Sequence, residues 1–521
     1  MSLAETLARA PGQSTRLAGP APLLTFALLT LGMSGAIVLS FAGSLAEWTP
    51  VTYLALGMVG LTALWISGGA ATAILGTLVE DRADPSPPDT WVPANRTAIL
   101  VTLCGETPDP LARSLTKLHR HLTEIGLDAV TEIHVLSDTS NRSAADREAA
   151  IFAPLQAAGT LSYRRRDANI GRKPGNIADW LHDHGDAFAY MMVLDADSRM
   201  SADRIRDLVW KIEQRPGLGL LQAGIGLVPG RSRFGRFQRV SSRLLSRNFG
   251  RGFAAWTGSC GNYWGHNAIM RVAAFRAAAS LPKLAGSAPF GGDILSHDFI
   301  EAAWIRRAGW SVMLDPDSTG SAEDAPQTLA EFHRRDRRWC QGNLQHMRLL
   351  FEPGLAPLSR LHLVSGLLSY LVAPIWLGLI ALTAGGAIRL DSALPLALVL
   401  LVLLLPKLCA LIAWPAATPM RRTVVTRATL GELVVSSLIA PIVMARQTGA
   451  VISVLAGNDC GWKSGRRHAT TLPAGVAEMT LGLALAALAL SSSGATLIWL
   501  TPVVAPLLAA PILYRTLDAR A

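Results

Sequence analysis

Met191-Met192-Val193-Leu194-Asp195-Ala196-Asp197-Ser198 is an apolar run that ends in two carboxylates two residues apart. It reads as a buried strand with both acids at its carboxyl end. Hard cations such as Mg²⁺ take carboxylate oxygens and the oxygens of a diphosphate together, so such a strand end is a ready cation site. An isolated Asp-x-Asp is a weak signal, because many surface turns carry one. Its weight here comes from four further polar clusters in the same segment and from the apolar runs on either side.

The chain has 521 residues, of which 50% are hydrophobic and only 17% charged, and its mean hydropathy is +0.31. That composition excludes an ordinary soluble protein. Apolar runs fall at residues 22–43, 51–79, 362–388, 393–416, 429–456, 475–492 and 494–513. A bilayer core of ~30 Å takes ~20 apolar residues in a helix, and the expectation is about seven to eight membrane helices. The last two runs read as a hairpin turning at Ser491-Ser492-Ser493-Gly494. Most of the charges lie in residues 81–360, a domain inserted between an amino-terminal pair of spans (residues 1–80) and a carboxyl-terminal set (residues 361–521).

Positive residues gather at one side of these runs: Arg9 and Arg16, then Arg421, Arg422 and Arg427, then Lys463, Arg466 and Arg467, and finally Arg515 and Arg520. They assign both termini and the inserted domain to the cytoplasm. A single crossing by residues 429–456 would carry Lys463, Arg466 and Arg467 to the wrong side. A hairpin bending near Pro441, or a re-entrant segment, is therefore preferred, with an interfacial segment as the other solution. The net charge of +10 fits basic loops beside anionic lipid better than a nucleic-acid partner. Five cysteines show neither Cys-x-x-Cys pairs nor zinc spacing, which fits a reducing compartment.

Within the inserted segment, strands and helices alternate, which implies a parallel sheet with its ligand site beyond the carboxyl strand ends. Residues 97–103 and 132–136 read as strands, and Leu111, Leu115, Leu118 and Leu122 mark a helix between them. The strands lead into Cys104-Gly105-Glu106, Ser137-Asp138-Thr139 and Asp195-Ala196-Asp197. One acid after a strand is most often a cap or turn residue; three converging on one edge favour a nucleotide site. Between them Asn169-Ile170-Gly171-Arg172-Lys173-Pro174-Gly175-Asn176 is a glycine-containing turn whose lysine can neutralise a diphosphate, or simply a basic loop. Arg236, Arg239, Arg243 and Arg247 form one stripe over residues 231–251, beside an apolar stripe of Phe237, Val240 and Leu244, as in an amphipathic helix on a membrane surface.

Two clusters remain. Ser296-His297-Asp298-Phe299-Ile300-Glu301 opens a helix, with Asp298 either a cap completed by Glu301 or a general base. Arg334-Arg335-Asp336-Arg337-Arg338-Trp339 precedes a span. It is either an interfacial anchor or a sugar platform with phosphate ligands.

Taken in order, Glu106, Asp138, Gly171–Asn176, Asp195-Ala196-Asp197, Ser296-His297-Asp298 and Arg335–Trp339 resemble the processive family 2 glycosyltransferases, of which cellulose synthase is the best-known relative. Residues 296–310, 334–345 and 459–467 are similar to the branch that makes osmoregulated periplasmic glucans. The resemblance spans roughly residues 20 to 470. It implies an α/β nucleotide-sugar-binding domain, GT-A-like, set between transmembrane helices in the bacterial inner membrane. The residue roles it implies are these. Glu106 and Asp138 hold the uridine of UDP-glucose, while Lys173, Asp195 and Arg338 face its diphosphate. Asp195 and Asp197 bind Mg²⁺ or Mn²⁺, and Asp298 acts as base. Trp339 and His297 meet the growing glucan acceptor, and a loop within residues 446–470 gates the site. The implied product is a β-1,2-linked backbone made with inversion and exported. The implied partners are membrane lipid, acyl carrier protein and a periplasmic glucan-processing protein. Two departures from the cellulose synthase pattern, Arg335 in place of a glutamine and His297 before the base, are in keeping with the periplasmic-glucan branch.

Two rival readings stand beside this one. The first is another β-glycan synthase of the same fold, separable by product analysis. The second is a transporter whose domain only binds nucleotide sugar, which would have no need of all five acids Glu106, Asp138, Asp195, Asp197 and Asp298.

Overall fold

The computed structural model describes residues 21–79, 86–278, 281–414, 421–460 and 473–520. Among its described residues the inserted segment holds ten strands: β1 (Thr97–Leu103), β2 (Thr131–Ser137), β3 (Ser162–Arg165), β4 (Tyr190–Asp195), β5 (Arg199–Met200), β6 (Leu218–Ala223), β7 (Gly226–Leu227), β8 (Ala268–Arg271), β9 (Ser311–Asp315) and β10 (Ser321–Glu323). Seven form one sheet in the order β3-β2-β1-β4-β8-β6-β9, and β5-β10-β7 form a small second sheet. Alternation along each strand feeds two cores. Ala98, Leu100, Met191 and Val193 point to one face, and Ile99, Val101, Met192 and Leu194 to the other. The helix Pro108–Glu124 covers the second face with Leu111, Leu115, Leu118 and Leu122, as their spacing predicts. Each fully buried aliphatic side chain contributes about 1.5–3 kcal/mol relative to exposure.

The sheet is mixed rather than parallel. β8 runs antiparallel to both β4 and β6, while the other strands share one direction. This reversal has a consequence for the site. A parallel strand presents its outgoing residues at the carboxyl edge; β8 presents its incoming ones. Ala268 pairs with Val193, so Gly265, His266 and Asn267 arrive beside Asp195.

Outside the domain, five helices among the described residues are long and apolar enough to cross a bilayer: Ala21–Gly43, Pro50–Leu78, Pro357–Ala384, Leu394–Ile412 and Arg422–Leu455. Gly494–Leu508 and Ala510–Leu517, bent by 52°, make a sixth if counted together. Val476–Ser492 is a shorter apolar helix of 17 residues, and the expected break in this hairpin falls at Ser493. By length and composition the described residues thus give five spans, or six with the bent pair, fewer than the seven to eight expected. Leu28, Leu31 and Leu39 stand more than half exposed on the first helix, a surface that suits lipid rather than water.

Residues 429–456 do not form a hairpin. Arg422–Leu455 is one helix of 34 residues that continues through Pro441. A proline removes one helical hydrogen bond and crowds one carbonyl, and here packing along both sides holds the helix together. Its polar contacts divide between the inserted segment and the neighbouring apolar helices. Ser241 and Lys407 meet Glu432, Arg446 meets Glu478, and Arg337 meets Ser453.

The arginine-rich segment is the helix Arg233–Thr257. It buries Phe234, Leu244, Asn248, Gly252 and Trp256, whereas Val240 is 40% exposed, so its buried face is rotated from the expected stripe. The cause is a close crossing with Pro50–Leu78. A Cβ on Gly252 would sit 1.8 Å from the Thr72 carbonyl oxygen, and one on Gly76 would sit 1.9 Å from that of Asn248. Asn248 Nδ2 donates to Ala73 O at 2.9 Å, and Trp256 Nε1 to Thr72 Oγ1 at 3.2 Å. Small residues let two helix backbones meet where apolar burial gives no drive. Gly252→Val is therefore expected to lower the thermal midpoint and broaden the size-exclusion peak in detergent. Gly69→Ala, where nothing lies within 4 Å, is expected to leave both unchanged. Equal behaviour of the two variants would argue against this crossing.

Candidate active site at the carboxyl edge of the sheet

The ends of β1 and β2 are tied together by a buried acid. Glu148 accepts from the hydroxyls of Ser137 and Thr139, and Thr139 Oγ1 accepts from Gly105 N–H at 2.8 Å. Gly105 has φ +83°, a conformation open to glycine, and Glu106 turns back to accept from Cys104 N–H at 2.5 Å. Asp138 is buried and held by Arg166 in a two-pronged pair, at 2.7 and 2.9 Å. Arg166 also reaches Asp179 at 2.8 Å and the carbonyls of Ile170 and Arg172 at 3.0 Å. It thereby fastens the glycine turn to β2. Sequence reading passed over Arg166, although it stands in an arginine triplet just after β3.

In the turn, Gly171 and Arg172 both have left-handed backbones (φ +66° and +56°), and a Cβ on Gly175 would sit 2.1 Å from the Ile170 carbonyl oxygen. This tight coil starts the helix Arg172–His184 and places Lys173 in its first turn. A helix amino terminus favours anions. Lys173 Nζ pairs with the Asp195 carboxylate and donates to Gly265 O at 2.6 Å.

Asp195 is further fixed by Thr102 Oγ1 at 3.0 Å, and its backbone N–H donates to Ser198 Oγ at 3.0 Å. Burial works to raise its carboxyl, but Lys173, His266 and the hydrogen bonds outweigh it and hold Asp195 well below the usual carboxylate range. Asp197 behaves oppositely. Desolvation, then the like charges of Asp195 and Glu323, push it up to about 6, although its side chain stays accessible at the mouth of the turn. Two ionised carboxylates that repel each other fit a divalent cation, which would relieve that repulsion. No cluster of three metal-ligating side chains occurs among the described residues. Such a pair suits a cation whose remaining ligands are substrate phosphate and water.

The sign of the pH dependence follows. Above about pH 6 Asp197 is ionised and free to ligate; below it a proton must be displaced. The Mn²⁺ concentration that half-saturates nucleotide binding is expected to rise as pH falls through 6, and Asp197→Asn is expected to flatten that rise. An unchanged requirement from pH 7 to pH 5 in the wild type would count against Asp197 as ligand.

Asp298 lies across Gly265 from Lys173: a Cβ on Gly265 would be 3.7 Å from Asp298 Oδ2. Burial raises its carboxyl above the ordinary value, with Glu301 adding to the shift and His297 opposing it. His297 is buried, with Nδ1 3.1 Å from the Glu301 carboxylate. Burial lowers the imidazole, but Glu301 overrides it and raises His297 above its ordinary value. The expected capping pair at this helix is not made. Ser296 gives no side-chain cap, and Glu301 is drawn inward to His297 instead. Lys173 and Asp298 thus meet at Gly265, with Asp195 paired to Lys173, Asp197 beside Asp195 and His297 next to Asp298.

The arginine cluster lies in the helix Leu329–Gln345, started by a reciprocal cap between Thr328 and Glu331. Asp336 is buried and accepts from Tyr370 Oη at 3.1 Å. Arg335 stacks over Trp339, its Cζ 4.4 Å from the ring centroid, and Trp339 remains 43% exposed. Burial first, then Arg335 and Arg334, lower Arg338, so cations crowd there as an anion site requires. Gln341 grips the start of the expected gating loop. It donates to Asp459 Oδ1 at 2.7 Å and accepts from Cys460 N–H at 2.8 Å. Residues 461–467 of that loop lie outside the described residues.

Comparison with known proteins identifies the family. The sequence profile "Glycosyl transferase family group 2" matches residues 190–417, which include Asp195, Asp197, Asp298 and Trp339. Glucans biosynthesis glucosyltransferase H of Vibrio cholerae is 37% identical over 493 residues, covering 87% of this chain and 68% of the relative. That of Cereibacter sphaeroides is also 37% identical, covering 88% and 83%. The chain belongs to the glucans biosynthesis glucosyltransferase H family. It is a family 2 glucosyltransferase with a GT-A-like mixed sheet, flanked by helices able to span a membrane. Among solved structures, a Pyrobaculum calidifontis mannosyltransferase in complex with GDP-Man and Mn²⁺ is 17% identical, covering 76% of this chain and 97% of that one, at a TM-score of 0.45. That overlap is too loose to transfer residue roles.

Proposed function

We propose that this glucosyltransferase takes glucose from UDP-glucose and adds it, with inversion, to a β-1,2-linked glucan. It works at the cytoplasmic face of the bacterial inner membrane and passes the product through the adjoining helices. The observation that carries the reading is that Lys173 and Asp298 both meet Gly265, with Asp195 paired to Lys173 and Asp197 beside Asp195.

On this reading the uridine lies along the ends of β1 and β2, by Glu106 and the Asp138–Arg166 pair. The diphosphate lies between Lys173, at the start of its helix, and Arg338. A divalent cation held by Asp195 and Asp197 would offset the charge that develops on the departing UDP. Asp298 accepts the proton of the acceptor hydroxyl while that oxygen attacks the anomeric carbon; the bond from C1 to the phosphate oxygen breaks and UDP leaves. One displacement turns an α-linked donor into a β-glucoside. Burial raises Asp298, which makes it a better proton acceptor than an exposed carboxylate. The acceptor ring stacks on the face of Trp339 away from Arg335.

Linkage analysis of polymer made from labelled UDP-glucose by protein in lipid nanodiscs with Mg²⁺ tests this. A β-1,2 product is expected. Another β-linkage rejects the product, and transfer only from a different nucleotide sugar rejects the donor.

A further inference from the structure

Glu323 is absent from the set of acids that sequence reading assembled, yet it stands where the two halves of the site meet. It ends β10, whose antiparallel register with β5 pairs Ser321 with Met200 and Ala322 with Arg199. β5 begins directly after the Asp195–Ser198 turn, so the same register brings Glu323 alongside Ser198. The Glu323 side chain is largely buried, and one carboxylate oxygen, Oε2, serves two cations. His266 Nε2 lies 3.3 Å from it on one side, and Arg335 Nη2 lies 3.3 Å from it on the other.

Each cation leads to a different subsite. His266 Nδ1 is 3.2 Å from Ser198 Oγ, and that oxygen accepts the backbone N–H of Asp195 at 3.0 Å. The imidazole therefore braces the turn that carries both metal-site carboxylates. Arg335 lies over Trp339, so its guanidinium sets the plane and rotamer of the exposed ring. A charged bond to a carboxylate oxygen is worth more than a neutral one, and here two basic side chains share Oε2.

We propose that Glu323 is a positioning residue that couples the donor turn to the acceptor platform, holding Asp195-Ala196-Asp197 through His266 and Trp339 through Arg335. The inference rests on the proposed roles of that turn and of Trp339. It also gives Arg335 a purpose. An arginine at this position reaches back to Glu323 with a full charge while stacking on the tryptophan, which a shorter neutral amide does less well. Burial works to raise Glu323, and His266 and Arg335 more than offset it, in accord with a carboxylate ionised between two cations.

The test is binding, read separately at the two subsites on the full-length protein in detergent by calorimetry. The probes are UDP with Mn²⁺ for the donor side and a β-1,2-linked glucose oligomer for the acceptor side. Glu323→Gln keeps size and removes charge, and it is expected to weaken both probes about ten-fold. Arg335→Gln is expected to weaken the oligomer alone. Combining the two should weaken the oligomer no more than either does singly, because both remove one link. Glu323→Asp should restore part of both affinities, which a general loss of packing would not allow. Additive effects, or a Glu323→Gln variant that weakens only UDP–Mn²⁺, would overturn the coupling and leave Glu323 as a simple neighbour of the cation. A wild type that binds both probes but transfers no glucose leaves the coupling standing and removes the proposed reaction. A wild type that binds neither removes both.

Discussion

Asp298→Asn is expected to cut glucosyl transfer by about 10²–10⁴-fold, the usual worth of a positioned general base. The affinity for UDP with Mn²⁺ is expected to stay within about two-fold. The substitution is nearly isosteric, and Asp298 lies across Gly265 from Lys173, apart from the Asp195–Asp197 pair proposed to hold the cation. Folding should survive, since burial already penalises the charged form and an amide carries no charge to bury. The comparison requires single-turnover rates at saturating UDP-glucose, with UDP binding measured on the same preparation. Loss of binding together with turnover would move Asp298 into the donor site. Full activity would pass the role of base to another group.

Asp197→Asn is expected to separate stability from function. In the cation-free protein Asp197 is held ionised against Asp195 and Glu323, so removing its charge relieves repulsion. The sign is fixed by direction: the folded-state carboxyl is raised above its ordinary value, so at neutral pH ionisation disfavours the folded form. Solvent at the mouth of the turn screens the effect, and the thermal midpoint without cation should be unchanged or slightly higher. Turnover, by contrast, should fall about 10²–10³-fold, the scale of losing one fixed electrostatic stabiliser of a leaving group. The rise in thermal midpoint that Mn²⁺ and UDP together give the wild type should vanish. A variant that is destabilised without cation and still stabilised by Mn²⁺ with UDP would show that the cation sits elsewhere.

Much of the site was legible because its elements are local. A strand followed at once by an acid announces where that acid will stand, and Glu106, Asp138 and Asp195 do leave β1, β2 and β4 at one edge. The left-handed pair at Gly171 and Arg172 is likewise a property of one short turn. What escaped reading depends on contacts distant in the chain. His266 reaches the site only because β8 runs backwards through the sheet, and alternation of strands and helices carries no mark of one reversed strand. Glu323 depends on a three-residue strand in a second sheet. Arg166 is one of three arginines in a row, and only its pairing with Asp138 singles it out. The helix Arg422–Leu455 was misread because Lys463, Arg466 and Arg467 argued against a single crossing and Pro441 offered a place to bend. The packing that holds it together comes from six other helices.

The most direct test of the account is UDP release from UDP-glucose by the purified protein in lipid with Mg²⁺, wild type beside Asp298→Asn, with the product linkage determined. The account predicts cation-dependent release by the wild type, a β-1,2 glucan, and loss of both in the variant while UDP still binds. Equal release by the two proteins, or release by neither with any nucleotide sugar, would contradict it.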